Sequence, residues 1–170
     1  MSYPQSSTGN PPRRLRNFAP ADLSACLATF DSNVPEFFVP TERAAFASFL
    51  AALPGPYLVV EETGEVVACG GYAVAPGTTT ADLCWGMVSR ARHQSGLGRL
   101  LLVARLKHIG ADASVRDVAL NTSQHTRGVY ERLGFVVERV QPGSYAPGLD
   151  RCDMRLRLSR SSLTKRDSHG

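Results

Sequence analysis

The chain has 170 residues, a length that suits one domain with a full hydrophobic core. Hydrophobic residues make up 43% of it and charged residues 20%, proportions that exclude a fibrous or wholly disordered chain. The formal net charge is +4, yet the sequence has no recognition-helix pattern and no interleaving of basic and aromatic residues. We therefore interpret the positive charge as attraction for a small polyanionic ligand and expect no nucleic-acid partner.

No apolar run is long enough to span a bilayer, and residues 1–12 are polar with no apolar signal region. We therefore expect a cytoplasmic protein with no membrane partner. The cysteines, Cys26, Cys69, Cys84 and Cys152, are far apart and form no Cys-x-x-Cys pair, which indicates free thiols. The histidines show no zinc spacing, so no metal is expected.

The first half of the chain combines two helical segments with short strands. Pro20 marks a helix start, and Phe46 and Leu50 lie on the apolar stripe of a second helix. Two adjacent glycines, Gly70 and Gly71, predict a bulge or a close backbone approach within a strand. The predicted elements are a disordered segment at 1–12, a strand at 13–18, helices at 21–30 and 42–53, and strands at 57–61, 66–74 and 81–89.

The second half begins with a strand–helix–strand unit. Its helix runs from 97 to 109, ends at Gly110 and connects the strands at 81–89 and 115–121, which favours parallel pairing of those two strands. Beyond it we predict a helix at 124–133, a strand at 135–140, a loop at 141–149, a strand at 151–158 and a disordered tail at 159–170.

A polar, arginine-bearing loop joins the strand at 81–89 to the helix that follows. Gly96 and Gly98 lie where that helix begins. The first N–H groups of a helix have no intrahelical partner and carry the positive end of the helix dipole, so this loop suits phosphate oxygens. A nucleotide-hydrolase loop needs Lys-Ser/Thr after its last glycine, and here Arg99-Leu100 follows. A plain glycine-rich turn before a core helix is the alternative.

Two motifs carry a resemblance to a known family. The loop resembles the pyrophosphate loop Arg/Gln-x-x-Gly-x-Gly/Ala of the GNAT superfamily of N-acetyltransferases, with His93 at the Arg/Gln position. Further on, Tyr130, Gly134 and Phe135 match the Tyr-x-x-x-Gly-Phe of the same superfamily. The resemblance covers nearly all of 13–158, which we interpret as one domain. It implies an α/β fold of the α+β kind, with a mixed, mostly antiparallel sheet of six or seven strands and about four helices.

The resemblance also implies that the two parallel central strands splay apart. Backbone groups freed by that gap would hold the pantetheine arm of acetyl-coenzyme A, and the glycine loop would bind its pyrophosphate. The implied coenzyme-binding residues are Met87, Val88, Ser89, His93, Gln94, Ser95, Gly96, Leu97, Gly98, Arg99, Asn121 and Ser123. Asn121 and Ser123 are included because the family often has an Asn seven positions before the Tyr, where this chain has Ser123.

The implied activity is acetyl transfer from acetyl-coenzyme A to a primary amine, by direct attack in a ternary complex. Tyr130 is the candidate acid that protonates the leaving thiolate, since a phenol and an alkyl thiol lose protons over similar pH ranges. Phe37 and Phe38 lie in a loop that either plugs the core or forms a wall of the acceptor pocket. The base is left open among four acids: Glu36, Glu61, Glu62 and Asp82.

The acceptor is also left open. It is either a small molecule, such as a polyamine, an amino acid or an aminoglycoside-like compound, or a peptide amine. The sequence leaves the oligomeric state open as well, a homodimer included. A non-catalytic module that binds acyl-coenzyme A is the alternative function, because His93 and Ser123 depart from the family pattern.

Overall fold

The computed structural model describes Gly9 and residues 11–159. The disorder predicted for 1–12 and 159–170 therefore concerns residues that lie mostly outside the described part of the chain. Within that part the elements are β1 (Arg13–Asn17), α1 (Leu23–Ser32), α2 (Arg43–Ala52), β2 (Tyr57–Glu62), β3 (Glu65–Val74), β4 (Thr80–Val88), α3 (Leu97–Gly110), β5 (Asp117–Thr122), α4 (Arg127–Glu131), β6 (Val136–Ala146) and β7 (Leu149–Arg157).

The strands form one mixed sheet in the order β1-β2-β3-β4-β5-β7-β6. Neighbouring strands pair antiparallel, except that β4 and β5 pair in parallel. That parallel pairing starts at Thr80 and Asp117 and stops at Asp82 and Ala119, although both strands continue. The predicted mixed sheet with splayed parallel central strands is confirmed.

Both faces of the sheet are covered at its β1–β4 end. On one face, Phe30 of α1 and Phe46 of α2 are fully buried. On the opposite face, Leu101 of α3 is 1% exposed. Residues 57–60 of β2 alternate between these two cores, which explains why this strand is a continuous apolar run rather than an alternating one.

A bulge interrupts β4 beside the cleft between the two central strands. Cys69 of β3 pairs with Met87 and Gly71 pairs with Cys84, so two residues of β4 face one residue of β3. Trp85, in the bulge, has a φ of +45°. The glycine pair on β3 predicted a bulge or a close approach here, which is confirmed, but the extra residue is on β4.

The helix predicted at 124–133 is wrong in extent, because α4 is only five residues long. The N–H groups of Thr126 and Arg127 both donate to Ser123 O, which makes a turn before the helix. After it, Gly134 has a φ of +95° and ends the helical conformation.

The loop predicted at 141–149 is also wrong, since these residues form a β-hairpin. Strand β6 runs to Ala146 and β7 starts at Leu149, with Gly148 at a φ of +76° in the turn. Pro142 is accommodated because β6 lies at the sheet edge and the pairing shifts register around it.

The close approach at β3 generates a stability prediction. A Cβ on Gly71 would lie 2.4 Å from Pro56 O and 2.6 Å from Tyr57 Cδ2. We expect Gly71→Ala to lower the free energy of unfolding by about 1–3 kcal/mol, because the backbones must move apart. Gly110→Ala is the matched control, since a Cβ there meets no atom within 4 Å. Urea unfolding of both variants checks this, and equal stabilities would contradict it.

Candidate functional site

A cleft of about 890 Å³ opens where the pairing of β4 and β5 stops. The unpaired parts of both strands form its walls. The loop before α3, the face of α3, α4 and the loop after α1 complete it. Predicted site residues that line the cleft are Phe37, Phe38, Met87, Val88, His93, Gln94, Ser95, Gly96, Leu97, Gly98, Asn121, Ser123 and Tyr130.

Two predicted residues lie outside this cleft. Ser89 donates its backbone N–H to Val67 O at 2.8 Å and so belongs to the β3–β4 pairing. Arg99 lines a separate shallow groove with Arg13 and Lys107. Successive residues of a strand point their backbone N–H and C=O groups to opposite edges. Because the N–H of Ser89 points to β3, the backbone groups of Val88 point to the cleft.

The backbone of the loop before α3 explains its glycine. Gly96 has a φ of +83° directly before the helix, and Gln94 has a φ of +61°. The left-handed region favours glycine, so the conformation requires it at 96. Gly98 differs, because a Cβ there would meet only Val88 Cγ2, at 3.7 Å. The packing around position 98 therefore does not itself require a glycine.

A buried carboxylate on β2 links this loop to β1 and β2. Glu62 is 3% exposed and pairs with Arg13 Nε at 3.0 Å and Arg92 Nε at 3.3 Å. Arg13 Nη2 also donates to Ser95 O at 2.8 Å. The first strand of the chain thereby holds the loop that the sequence predicts for phosphate.

Two side chains converge on the carbonyl of Val88. Asn33 Nδ2, which is buried at the end of α1, donates to Val88 O at 2.9 Å. His93 Nε2 lies 3.0 Å from the same oxygen. The predicted basic or amide position of the loop is therefore engaged with β4, and the N–H of Val88 is the backbone group left to face the cleft.

The two phenylalanines of the loop after α1 have different surroundings. Phe38 packs on the core, with its ring centroid 4.9 Å from Phe30 and 6.2 Å from Trp85. Phe37 stands edge-on to His93 at 5.1 Å and to His125 at 6.2 Å. Phe37 therefore spans the mouth of the cleft between the β4 side and the β5 side.

Tyr130 lies on α4 and contributes to the wall of the cleft. Its ring packs edge-on against Phe135 at 5.7 Å, which ties the two parts of the second motif together. At the cleft's other end, Tyr145 Oη donates to Asn121 Oδ1 at 2.6 Å. Burial raises the pKa of Tyr145 to about 12, so this phenol stays a hydrogen-bond donor at neutral pH.

The four acids considered as bases divide clearly. Asp82 lines the cleft at the last residue pair of β4 and β5, and burial raises the pKa of its carboxyl group. Glu61 and Glu62 are on β2 in ion pairs with arginines of β1. Glu36 pairs with Arg90 at the surface.

Three residues of the site were not predicted from the sequence. Asn33 ends a helix with no motif around it, and Tyr145 is in the stretch predicted as a loop. Arg105 of α3 lines the cleft and is 3% exposed. The sequence does contain a pattern that indicates its burial, because Arg105 occupies the i+4 position after Leu101 on the apolar row of the helix.

Among the residues that the structure describes, no three His, Cys, Asp or Glu side chains are grouped to hold a metal ion. Within the same residues no helix is both long and apolar enough to cross a membrane. All four cysteines are free thiols, as predicted. The lining of the cleft offers backbone groups, a helix N-terminus, hydroxyls, carboxylates, imidazoles, guanidinium groups and the thiol of Cys84.

A sheet that parts between two parallel strands, above a glycine loop at a helix N-terminus, defines an acyltransferase. The model of the acetyltransferase (GNAT) family matches residues 26–135, more than half of the chain, and the chain belongs to this family. No curated protein sequence matches the chain significantly.

Solved structures agree with this assignment. A protein assigned to the GNAT family of acetyltransferases from Desulfovibrio desulfuricans has 28% identity and a TM-score of 0.74, over 87% of this chain and 100% of its own. The Escherichia coli ribosomal-protein-S18-alanine N-acetyltransferase has 20% identity and a TM-score of 0.75, over 87% and 95%. An aminoglycoside 6'-N-acetyltransferase complexed with coenzyme A has 15% identity and a TM-score of 0.71, over 86% and 98%.

The anchoring of the loop generates a binding prediction. We expect Arg13→Met to weaken coenzyme A binding about threefold to tenfold, because Ser95 O loses its donor and Glu62 loses one of its two cations. Arg14→Met is the matched control, since it removes the same charge from an exposed position one residue along β1. Isothermal titration calorimetry measures both, and equal dissociation constants would show that the loop needs no anchor.

Proposed function

We propose that this chain transfers an acetyl group from acetyl-coenzyme A to a primary amine by direct attack in a ternary complex. The observation that carries the proposal is the parting of β4 and β5 after Asp82 and Ala119, directly above the N-terminus of α3. One continuous cleft thereby offers a backbone edge for an amide-bearing arm and helix N–H groups for phosphates.

The residues present fit the coenzyme. The Val88 N–H faces the cleft as a backbone donor. Residues 94–98, which include Gly96 and Gly98, line the cleft at the start of α3. Bound there, the coenzyme supplies an acyl group activated as a thioester. Met87 lines the cleft as well, whereas the backbone N–H of Ser89 is engaged with β3.

Tyr130 is the proposed acid. As the amine attacks the thioester carbon, the C–N bond forms and the C–S bond breaks, and the phenol donates its proton to the departing sulfur. Its presence in the cleft wall and its support from Phe135 favour this role. A packing role alone would require only the ring.

Asp82 is the proposed base, acting directly or through a water molecule. An amine that is protonated at neutral pH must lose a proton before it attacks, and a carboxylate with a raised pKa is better matched to that task. Asp82 is also on the sheet face that carries Cys84 and Trp85, beside the phenylalanines of the loop after α1. We therefore assign the acceptor to this face, with Phe37 and Phe38 as part of its wall.

The names of the relatives indicate two acceptor classes for those proteins, a protein N-terminal alanine and an aminoglycoside. Both present a primary amine, which is the acceptor group that we propose for this chain. A panel that contains peptides, amino acids, polyamines and aminoglycosides, followed by release of free thiol from acetyl-coenzyme A, identifies the class.

We expect Tyr130→Phe to lower kcat about 100-fold, because the leaving thiolate loses its proton donor, and to leave coenzyme affinity within about twofold. Tyr72→Phe is the matched control, since Tyr72 packs in the core and does not line the cleft. Thiol-release kinetics and calorimetry provide the two readouts. Unchanged transfer by Tyr130→Phe would remove the acid role. No transfer by the wild type to any amine would favour the non-catalytic binding module.

We expect Asp82→Asn to lower kcat/KM about 100-fold near neutral pH, since the amine loses its proton acceptor. Because burial raises the pKa of Asp82, the wild-type activity should fall with decreasing pH at a value above the usual range of an aspartate. In Asp82→Asn, this fall of activity at low pH (the acid limb of the pH–rate profile) should vanish. Asp31→Asn, which removes an exposed acid paired with Arg43 that does not line the cleft, is the control. An unaltered acid limb in Asp82→Asn would assign the base elsewhere.

A further inference from the structure

The row of α3 that faces the sheet contains one charged residue. Leu97, Leu101, Arg105 and Ile109 follow one another at i+4 spacing and are 1%, 1%, 3% and 0% exposed. Three of the four are aliphatic, as expected for a helix that packs on a sheet. Burying a guanidinium in such a row is costly unless an anion accompanies it.

Within the described part of the chain, Arg105 has one weak side-chain hydrogen bond. Its Nη1 donates to Gly71 O at 3.4 Å, and its buried Nε has no hydrogen-bond partner among these residues. Among residues 11–159, no Asp or Glu forms an ion pair with it. Among residues 11–159, no hydrogen bond engages Nη2 either, so the Nε–Nη2 edge of the guanidinium is unpaired within this range. This pair of donors matches the two oxygens of a carboxylate.

Two glycines make room for the guanidinium beneath the sheet. A Cβ on Gly86 would lie 2.8 Å from Arg105 Nη2, and a Cβ on Gly70 would lie 3.2 Å from its Cζ. Gly86 is in the part of β4 that β5 has already left. Arg105 accordingly lines the same cleft as Tyr130 and Leu120.

We propose that Arg105 binds the terminal carboxylate of a dicarboxylic acyl group carried on coenzyme A, so that the same site transfers malonyl-type or succinyl-type groups. This inference rests on the proposed function. The transfer forms the amide C–N bond and breaks the thioester C–S bond. The proton lost by the amine balances the one gained by the thiol, and the distal carboxylate is unchanged.

The carboxylate could belong to the acyl donor or to the acceptor. The face of the sheet on which Arg105 lies decides between them. Arg105 approaches the sheet from the face covered by α3, the helix that follows the glycine loop. Phe38 and Trp85, which belong to the proposed acceptor side, pack with α1 and α2 on the opposite face. An acid group on the α3 side is therefore reached by the coenzyme-borne acyl chain.

The test compares acetyl-, malonyl- and succinyl-coenzyme A on the full chain by calorimetry and by thiol release. We expect the wild type to bind at least one of the acidic thioesters about tenfold more tightly than acetyl-coenzyme A, because the carboxylate gains a paired, charge-assisted contact. Arg105→Leu, which completes the aliphatic row, should abolish that preference. Arg43→Leu, at an exposed pair with Asp31, is the control.

Arg105→Lys keeps the charge but loses the fork, so it should retain only part of the preference, and this comparison stands even if Arg105→Leu fails to fold. The inference is overturned if the wild type binds all three thioesters equally, or if either Arg105 variant keeps the full preference. It is also overturned if Arg105 variants change only the discrimination between amino-acid acceptors and their amides. If no thioester binds at all, the proposed function fails with it, whereas acetyl transfer without acidic preference removes this inference alone.

Discussion

Three residue pairs hold β4 to β5, and the backbone groups beyond them must find other partners. This constraint shapes the centre of the molecule. The bulge at Trp85 re-aims β4 just after the pairing ends, and two side chains, from Asn33 and His93, satisfy the Val88 carbonyl. Helix α3 then starts at the open end of the gap. Each feature follows from a sheet that is held together at one end and free at the other.

Different elements cover the two faces of the sheet around that gap. Aromatic rings from α1, α2 and the loop that follows α1 pack beside Trp85 on one face, and aliphatic residues of α3 pack on the other. On the β5 side of the gap, β7 pairs with β5 and the cluster around Phe135 packs against it. Ala81 and Leu83 of β4 also pack in that cluster, so β4 contributes to this core as well as to the core around Phe30 and Phe46.

Much of this was predictable from local patterns. The element order, the parallel pair and the glycine at 96 follow from periodicity, chain connection and the left-handed conformation that Gly96 adopts. The hairpin at Ala146 to Leu149 was missed because Pro142 suggested a loop, and only its place at the edge makes a strand tolerable. The short α4 was missed because side-chain spacing alone does not reveal the turn at Ser123. Contacts such as Glu62 with Arg92 join segments 30 residues apart, and no local pattern encodes them.

The contact between Arg13 and Ser95 has an implication for how the molecule is assembled. These residues are 82 positions apart, and β1 is one of the two edge strands of the described sheet, where it pairs with β2 alone. Edge elements of this kind open more readily than central ones. When β1 detaches, the loop loses its tie even though the rest of the sheet stays intact. Affinity for the nucleotide end of the coenzyme would then report on whether this edge strand is docked on β2.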